Sequence, residues 1–460
     1  MRICVIGTGY VGLVAAACFA KMGHDVVGVD ADERKMRLLR DGISPIHEPG
    51  LDELLTRHLG ARLAFASALD DQLSADLVFL AVGTREAADG STDLRDLRRA
   101  AVEVAKRLPD GAVVVNKSTA PVGTGEALRA LVAANRPPDA RFHMAVNPEF
   151  LRQGFAVEDF LRPARIVIGA EDEPAAQALS DLYRPLARPI HLTDMRSAEL
   201  IKYAANAFLA VKISFINSIA DLCERTGADV EHVAEAVGAD PRIGHGCLRP
   251  GLGFGGSCPP KDTVSLLHQA RRAGCDAPVV AAARAVNAER PRLMLRRLER
   301  LVGGIAGRRI ALFGLAFKGG TDDIRESRGM ELARMLSDAG AHLRAYDPAA
   351  TPRARATMPE LVCSESPYQA AGRAEAAVIA ADWDEFKQLD LRRLRAVMAR
   401  PLVIDGCNLW ALDEAARAGL EYHSVGRQAV SGDERAQSRR PQPTPPLDEA
   451  WQAALAPRGA

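Results

Sequence analysis

Residues 2–13 read RICVIGTGYVGL, in which a short apolar run leads into glycines at positions 7, 9 and 12. The apolar run predicts a β-strand, and the residues after it predict a helix. Glycines at this spacing permit a tight turn and let backbone N–H groups approach a pyrophosphate, whose charge is met by the helix N-terminus. The stretch therefore predicts the first βα unit of a Rossmann-like domain, with a dinucleotide held by Gly7, Gly9, Tyr10, Val11 and Gly12.

Asp30 selects among the dinucleotides. It ends the second strand of the pattern, DVVGVD, close to the distance expected for a carboxylate that accepts a hydrogen bond from a ribose 2′-hydroxyl. A carboxylate repels the 2′-phosphate of NADP, so NAD is the predicted cofactor, with Arg34 leaving NADP as a minor alternative. A glycine turn that binds no nucleotide is the plain structural alternative, and the strand-to-helix context disfavours it.

Apolar runs alternate with helical patterns over most of the chain, which is typical of parallel sheets built from βαβ units. The strands predicted in the first part are Arg2–Ile6, Asp25–Val29, Leu77–Val82, Ala112–Asn116, Met144–Pro148 and Ile166–Ile168. One long helix is predicted from Ser197 to Gly227, because no proline interrupts it, and shorter helices at Val230–Val237, Lys261–Ala273 and Pro278–Leu301. A second α/β pattern begins at Arg308.

The predicted fold class is α/β, with two Rossmann-like doubly wound domains joined by a long central helix. The predicted domains are 1–195, the dinucleotide-binding domain; 196–300, a central helical domain; 301–428, a second Rossmann-like domain; and 429–460, a disordered tail rich in Pro, Gln, Arg and Ser.

Composition excludes several classes of function. Lys plus Arg equals Asp plus Glu at 59 each, so nucleic acid is a poor partner. The eight cysteines form no CxxC pair, which predicts no metal site, no disulfide framework and a reducing, cytoplasmic setting. Polar residues interrupt the most apolar stretch, Ala204–Ala220, so no membrane span is predicted, and no secretory signal precedes the first strand.

Cys258 stands in GFGGSCPPKD, residues 253–262, between a glycine run and two prolines. A metal ligand is disfavoured because His245, His268 and Cys247 lack zinc spacing. A packing cysteine is the common alternative. The glycines, which let a substrate approach the backbone, and Lys261, which is expected to lower the thiol pKa, favour a nucleophile.

A nicotinamide cofactor and a nucleophilic thiol together suggest oxidation of a primary alcohol in two steps. The thiol traps the aldehyde as a thiohemiacetal, a second oxidation makes a thioester, and water releases an acid, so two NAD are used per turnover. Lys202 and Asn206, four residues apart on one helix face, are candidates to hold the developing alkoxide; the alternative is that both are ordinary polar positions. A two-electron dehydrogenase would leave the thiol without a role.

Segments spread over roughly residues 1–425 share an order with the motifs of one family: GTGYVGLV, SPIHEPGL, KSTAPVGT, NPEFLRQG, RIVIG, ELIKYAANAFLAVKISFIN, RIG, GFGGSC with PKD, and GLAFKGGTDDIRES. Together they resemble the UDP-glucose 6-dehydrogenase family, within the nucleotide-sugar dehydrogenases that also include GDP-mannose and UDP-N-acetylmannosamine enzymes. The resemblance implies oxidation of UDP-glucose to UDP-glucuronate, with the same chemistry on GDP-mannose or a UDP-N-acetyl sugar as the alternative. A noncatalytic NAD-binding homologue is less favoured, because the candidate catalytic groups are retained.

The resemblance also implies roles for particular residues. Cys258 would hold the aldehyde and thioester, Lys202 and Asn206 would stabilise the oxyanion, and Glu149 would assist a water ordered by Thr119 and Asp262. The implied NAD contacts are Gly7 to Gly12, Asp30, Lys35, Thr84, Thr119, Gln153 and Arg325. The implied substrate contacts are Glu149, Phe150, Leu151, Arg152, Lys202, Tyr203, Asn206, Phe254, Gly255 and Lys318, with Arg242 reaching in from a neighbouring subunit.

By the same resemblance, 301–428 binds the sugar nucleotide and 196–300 forms the core of at least a homodimer. Four residues depart from the usual family pattern: Arg85, Gln153, Pro259 and Cys407.

Overall fold

The computed structural model describes residues 1–70 and 73–432. The disordered tail predicted for 429–460 lies outside the described residues from position 433 onward, and its predicted start is wrong, because Val430–Ser431 form a strand. The chain divides into two compact units. The first contains Met1–Leu209, Ser257–Ala281 and Gly320–Asp322, and the second contains Ala210–Gly256, Ala282–Gly319 and the described residues from Asp323 onward. The first division falls inside one long helix. The finer division at 195, 300 and 428 stays a prediction.

The elements before the long helix alternate strand and helix. The strands are β1 (Arg2–Ile6), β2 (Asp25–Val29), β3 (Leu63–Ala66), β4 (Leu77–Leu80), β5 (Arg85–Glu86), β6 (Thr92–Asp93), β7 (Ala112–Asn116), β8 (Phe142–Val146), β9 (Ile166–Ala170) and β10 (Ile190–Thr193). The helices are α1 (Tyr10–Lys21), α2 (Glu33–Arg40), α3 (Leu51–His58), α4 (Arg95–Ala105), α5 (Thr124–Ala134), α6 (Ala156–Leu161) and α7 (Glu173–Tyr183).

Four helices follow, and then a second series of strands and helices. The four are α8 (Met195–Thr226), α9 (Val230–Gly238), α10 (Pro259–Arg272) and α11 (Pro278–Val302). The later strands are β11 (Arg309–Phe313), β12 (His342–Tyr346), β13 (Val362–Cys363), β14 (Ala376–Ile379), β15 (Leu402–Asp405), β16 (Glu421–Ser424) and β17 (Val430–Ser431). The later helices are α12 (Arg328–Asp338), α13 (Thr351–Thr357), α14 (Pro367–Ala370), α15 (Asp384–Lys387), α16 (Leu391–Val397) and α17 (Leu412–Arg417).

The first unit is built on an eight-stranded sheet in the order β10-β9-β8-β7-β4-β1-β2-β3, parallel except between β8 and β9. β2 and β3 lie on one side of β1, and the chain then crosses to β4 on the other. Ligands of doubly wound sheets bind at this reversal, beyond the carboxyl ends of the strands. Since β1 ends at Ile6, the reversal places the loop that begins at Gly7 at the predicted nucleotide site.

Helix α1 is buried throughout from Gly12 to Ala20, between the sheet and the helices α3 and α6. Five of these nine residues are glycine or alanine. Small side chains let the helix approach the strands closely, and Phe19 fills the remaining space against Phe79, with ring centroids 4.9 Å apart. The predicted bounds of β1, β2 and β7 agree with the structure. The short strands β3 and β10 were missed, because four residues carry too little periodicity.

The second unit repeats the principle with a seven-stranded sheet in the order β13-β12-β11-β14-β15-β16-β17. Its reversal lies between β11 and β14, and GLAFKGG follows β11. The backbone N–H groups of Leu315 and Ala316 in this loop donate to Asp347 Oδ2 at 2.7 and 2.9 Å. In the second unit, these backbone N–H groups of the loop are therefore occupied by the carboxylate of Asp347.

Helix α8 begins two residues before the predicted start and ends before Gly227, whose φ of 80° stops it.

By length and composition alone, α8 passes for a membrane span, which the sequence prediction had excluded. Core helices of water-soluble enzymes pass the same test. Four polar residues of α8 are buried and hydrogen-bonded within the protein: Glu199, Lys202, Asn206 and Ser214. One face of α8 is therefore packed inside the protein.

Candidate active site

The glycine loop after β1 is tightly packed at one glycine and open at another. Gly7 has a φ of 92°, and a Cβ on Gly12 would lie 1.8 Å from the Gly7 carbonyl oxygen. At Gly9, by contrast, none of the described residues comes within 4 Å of the Cβ position. The loop therefore closes tightly at Gly12 and stays open at Gly9, in front of the helix N-terminus. A pyrophosphate fits this opening, because it is small and is met by backbone N–H groups.

The two glycines predict opposite kinds of damage. In Gly12→Ala the methyl group collides with backbone, so we expect loss of folded protein, measured by soluble yield and thermal melting. In Gly9→Ala the backbone φ of −68° suits alanine, so we expect an unchanged melting temperature. Its methyl group fills the opening, and NAD affinity should fall about tenfold or more by calorimetry, about 1.4 kcal/mol. Wild-type NAD affinity in Gly9→Ala would contradict this use of the loop.

Asp30 closes the side of the loop. Its Oδ2 accepts from Thr8 N at 2.9 Å and from Lys35 Nζ at 2.7 Å. Burial opposes ionisation, but the Lys35 ammonium and the backbone N–H groups hold the pKa of Asp30 below its ordinary value. The structure thus brings together the predicted cofactor residues Asp30 and Lys35 beside Gly7.

The Tyr10 side chain has partners within the protein, and the contact of Tyr10 with the cofactor stays a prediction. Its hydroxyl donates to the buried Glu48, whose carboxylate also accepts from Gly154 N and Ala156 N, each at 2.7 Å. Glu48 thereby ties the first turn of α1 to the segment that starts α6. The sequence analysis quoted Glu48 in SPIHEPGL but assigned it no role; a carboxylate inside a motif was the available signal.

Cys258 is the residue immediately before α10, with Pro259 and Pro260 in the first turn. The predicted helix started later, at Lys261; the prolines belong to the helix because their fixed φ suits its first turn and they need no N–H acceptor. The helix N-terminus favours a thiolate at Cys258. Ser257 Oγ lies 3.6 Å from its Sγ.

Glu149 and Lys202 form a buried ion pair in the first unit, with Nζ 2.8 Å from Oε1 and both side chains less than 5% exposed. The other carboxylate oxygen of Glu149 accepts from Leu151 N at 2.6 Å. Burial works against both charges, but each partner stabilises the other, so the pKa of Glu149 is lowered and that of Lys202 is raised. Both groups are ionised at neutral pH.

Asn206, one turn further along α8, contacts a different carboxylate. Its Nδ2 donates to Asp262 Oδ2 at 2.6 Å, and Lys261 Nζ lies 2.8 Å from Asp262 Oδ1. Lys261 also reaches Thr84 Oγ1 at 3.5 Å, and the Thr84 hydroxyl donates to the Thr119 carbonyl at 2.7 Å. One network therefore joins the predicted residues Asn206, Asp262, Thr84 and Thr119.

The charges around Cys258 differ from the prediction. Burial is the largest cause that raises the pKa of the thiol; Glu149 and Asp262 raise it further, and Lys202 lowers it. Lys261, which is paired with the carboxylate next to it, also interacts with the thiol, but it is not among the main causes of the shift in the thiol pKa. Lys202 is the cation that favours the thiolate. The resting thiol is therefore protonated at neutral pH.

Lys117 is a further buried cation, and the sequence analysis missed it although it begins KSTAPVGT. Its Nζ donates to Asn147 Oδ1 at 3.0 Å, and burial lowers its pKa to about 8. The Tyr183 hydroxyl donates to the same oxygen at 2.6 Å. Asn147 is thus fixed two residues before Glu149. Nothing in the spacing of KST signals this burial.

The remaining predicted contacts of the first unit lie around Glu149. The centroid of the Phe150 ring lies 3.6 Å from the Arg165 guanidinium carbon and 5.5 Å from Lys202 Nζ. The Leu151 N–H donates to Glu149, and Arg152 forms an ion pair with Asp159. Gln153 Oε1 accepts from Thr321 Oγ1 at 3.3 Å. Tyr203 is fully buried and its hydroxyl accepts from Ser265, so it lies inside the unit.

Other predicted contacts belong to the second unit. Phe254 is buried and bound through its backbone to Asn287, and a Cβ on Gly255 would lie 2.3 Å from the Glu326 carbonyl oxygen. Arg325 pairs with Asp323, and Lys318 lies 6.0 Å from the Phe317 ring centroid. Arg242 is exposed and pairs with Asp240. Their roles in NAD or substrate binding stay predictions.

The described residues contain no cluster of three or more histidine, cysteine or acidic side chains placed to hold a metal ion. Fold and site together define a class: a doubly wound dehydrogenase with a nucleotide loop, and with a cysteine beside a buried Lys–Glu pair in the same unit.

Comparison with known proteins specifies the family. Residues 1–187 match the NAD binding domain of the UDP-glucose/GDP-mannose dehydrogenase family, 196–289 its central domain and 311–412 its UDP binding domain. The chain belongs to this family, and its cofactor is NAD.

Relatives are similar over nearly their whole length. UDP-glucose 6-dehydrogenase of Rhizobium meliloti is 46% identical over 93% of this chain and 100% of its own. UDP-glucose 6-dehydrogenase TuaD of Bacillus subtilis is 44% identical over 94% of this chain and 95% of its own. The solved UDP-glucose dehydrogenase of Pyrobaculum islandicum superposes with a TM-score of 0.85 at 42% identity, covering 93% of this chain and 98% of that one.

Proposed function

We propose that this chain oxidises UDP-glucose to UDP-glucuronate with two NAD per turnover, through a thiohemiacetal and a thioester on Cys258. The observation that carries the proposal is the placement of Cys258 with Glu149, Lys202 and Asp262, each of which acts on the thiol pKa. A two-electron dehydrogenase has no use for that thiol. The curated relatives at 44–46% identity are UDP-glucose 6-dehydrogenases, which supports this substrate.

The residues of the first unit fit the two oxidations. NAD, when bound along Gly7 to Gly12 and beside Asp30, supplies the hydride acceptor. Lys202, held in place by Glu149, stabilises negative charge on the substrate oxygen in each oxidation, as the hydroxyl proton leaves that oxygen for solvent and the hydride leaves C6 for NAD. Cys258 Sγ bonds to the aldehyde carbon, and the carbonyl oxygen takes up the thiol proton. The second oxidation then converts the adduct to a thioester.

Hydrolysis returns the thiol. Water adds to the thioester carbon, Glu149 accepts the proton of that water, and the Cys258 sulfur leaves as a thiolate that Lys202 stabilises. The proton then passes from Glu149 to the thiolate, which restores the thiol and the ionised carboxylate. Glu149 suits this task because its lowered pKa keeps it unprotonated at neutral pH. Asp262 and Thr119 orient the water, since both stand in the network around Asn206.

The test is stoichiometric. Purified enzyme is incubated with NAD and UDP-glucose, and with GDP-mannose and UDP-N-acetylmannosamine in parallel, and NADH is measured against uronate. We expect two NADH per uronate, with UDP-glucose the fastest substrate. One NADH with release of free aldehyde would contradict the thioester route, and faster turnover of another sugar nucleotide would contradict the substrate.

We further propose that the active form is at least a homodimer. Phe208, Phe215 and Leu222 are spaced by seven along α8 and are 65%, 51% and 56% exposed. Residues at this spacing lie on one face of the helix, and a second copy of the chain would cover them. Light scattering measures the assembly directly; a monomer at micromolar concentration would contradict it.

Cytoplasm is the proposed location. All eight cysteines are free thiols, five of them at least partly accessible. Free thiols persist in a reducing compartment.

A further inference from the structure

Glu199 is a buried carboxylate on α8 that the mechanism above does not use. It lies one turn before Lys202, and 3% of its surface is exposed. Its Oε2 accepts from Gly123 N at 2.6 Å and its Oε1 from Gly125 N at 2.7 Å. Both donors belong to the start of α5, the helix that follows the segment KSTAPVGT.

Those two hydrogen bonds replace a missing local cap. Gly123 is the residue before α5 and has a φ of 90°, and it carries no side chain that could accept from the first N–H groups of the helix. Glu199, 74 and 76 residues away in sequence, supplies both acceptors with one carboxylate. Its charge also complements the positive end of the helix.

The segment held in this way carries Thr119. Thr119 and Val122 themselves have only neutral partners among the described side chains: Thr84 Oγ1 donates to the Thr119 carbonyl at 2.7 Å, and Val122 N donates to Gln269 Oε1 at 2.9 Å. The start of the segment is held separately, where Ser118 Oγ donates to the Val82 carbonyl at 2.7 Å. Glu199 therefore connects this segment to the helix that bears Lys202 and Asn206. A shift of α5 away from α8 would move Thr119 relative to Lys202.

We propose that Glu199 is a positioning residue that holds the Thr119 segment against the catalytic helix through its two accepting oxygens. The expected effect of Glu199 on the reaction rate rests on the proposed thioester mechanism. Its expected effect on the order of the Thr119 segment does not. Both oxygens accept fully only when the carboxylate is ionised, because a protonated oxygen becomes a donor.

Glu199 is placed to change protonation near neutral pH. Burial raises its pKa to about 7, against the lowering effect of the two glycine N–H groups. The nearby charged groups are Glu126 on α5, which raises the pKa of Glu199, and Arg196 on α8, which pairs with Glu126 at 2.6 Å. The loop contributes backbone N–H groups, and the apolar neighbours at Gly125 are Val146 of β8 and Met195 of α8.

The first experiment needs no substrate. Hydrogen exchange over residues 117–125 is compared at one pH, above 7, in the NAD-free wild type, Glu199→Gln and Glu126→Gln. Glutamine keeps one accepting oxygen, so we expect exchange at this segment at least about tenfold faster in Glu199→Gln. Glu126→Gln removes an exposed ion pair from the same helix end and should leave it near wild type. Wild-type exchange in Glu199→Gln would overturn the inference.

The second experiment follows the reaction. We expect Glu199→Gln to keep a first burst of two NADH per site, to turn over about tenfold more slowly, and to accumulate uronyl thioester, detected as added mass on the acid-quenched chain. The wild-type rate should rise with pH through about 7, and this rise should be absent in Glu199→Gln and present in Glu199→Asp, which keeps the charge. A purely structural role would lower the melting temperature and leave the pH profile unchanged, which would overturn the inference. Absence of any NADH from the wild type would instead refute the proposed function, and the exchange result would still stand.

Discussion

Replacing Cys258 with serine is expected to stop the formation of UDP-glucuronate, by about a thousandfold or more, equivalent to about 4 kcal/mol of barrier. A serine hydroxyl is far less ionised than a thiol at neutral pH and makes no thioester, so the second oxidation has no route. The first oxidation does not use the thiol. NADH and uronate, measured together after a single turnover, should therefore show at most one NADH per site and no uronate.

The matched control is Cys275→Ser, which changes an exposed cysteine of the same unit. It should retain wild-type rate and stoichiometry. Melting temperatures of both variants show whether either change only loosens the fold. Undiminished uronate formation by Cys258→Ser would identify a different nucleophile and remove the basis of the proposed mechanism.

Lys202→Met is expected to damage both activity and stability. Loss of an oxyanion-stabilising cation should lower kcat by about 10²–10³-fold. The change also leaves Glu149 charged and buried without its partner, and breaking such a pair costs about 3–5 kcal/mol of unfolding free energy. Steady-state kinetics and denaturant unfolding measure the two effects separately.

The pH dependence of that stability loss has a definite sign. In the wild type the pKa of Glu149 is lowered, so its ionised form stabilises the fold above the unfolded pKa and this contribution is lost as pH falls. In Lys202→Met burial dominates and the pKa of Glu149 should rise instead. The stability gap between the two proteins should then narrow on acidification toward about pH 5, as Glu149 takes up a proton.

The double variant Lys202→Met/Glu149→Gln separates the two roles. Glutamine removes the unpaired charge, so most of the lost stability should return while activity stays low. A Lys202→Met enzyme within tenfold of wild-type kcat would contradict the role of Lys202 at the substrate oxygen.

The two Rossmann-like sheets could be predicted because each depends on local patterns. An apolar run of four residues, Ile3–Ile6, buried on both faces marks β1, and the glycine spacing marks its loop. Prediction failed where the element was too short for a periodic pattern, as in β3. It also failed at the start of α10, where the predicted helix begins after Pro259 although proline suits its first turn. Candidate site residues came mainly from the family resemblance, and their assigned roles stay predictions.

The side-chain partners within the site could not be predicted in the same way. Lys202 and Asn206 share a helix face by spacing alone, and the sequence predicted a common task for them. In the structure Lys202 pairs with Glu149, 53 residues away, while Asn206 binds Asp262, 56 residues away in the other direction. Glu48, Lys117 and Glu199 were passed over because burial, not residue type, makes them important.

The sequence by itself determined the class of fold, the NAD loop and the unusual setting of Cys258, since strand, turn and helix preferences act over a few residues. Only the tertiary structure decided which charge stands beside which. A carboxylate or ammonium changes its pKa through burial and through partners brought close by packing, and neither is encoded locally. For Cys258, the cation with the larger lowering effect on the thiol pKa is Lys202, on another helix, and not the neighbouring Lys261.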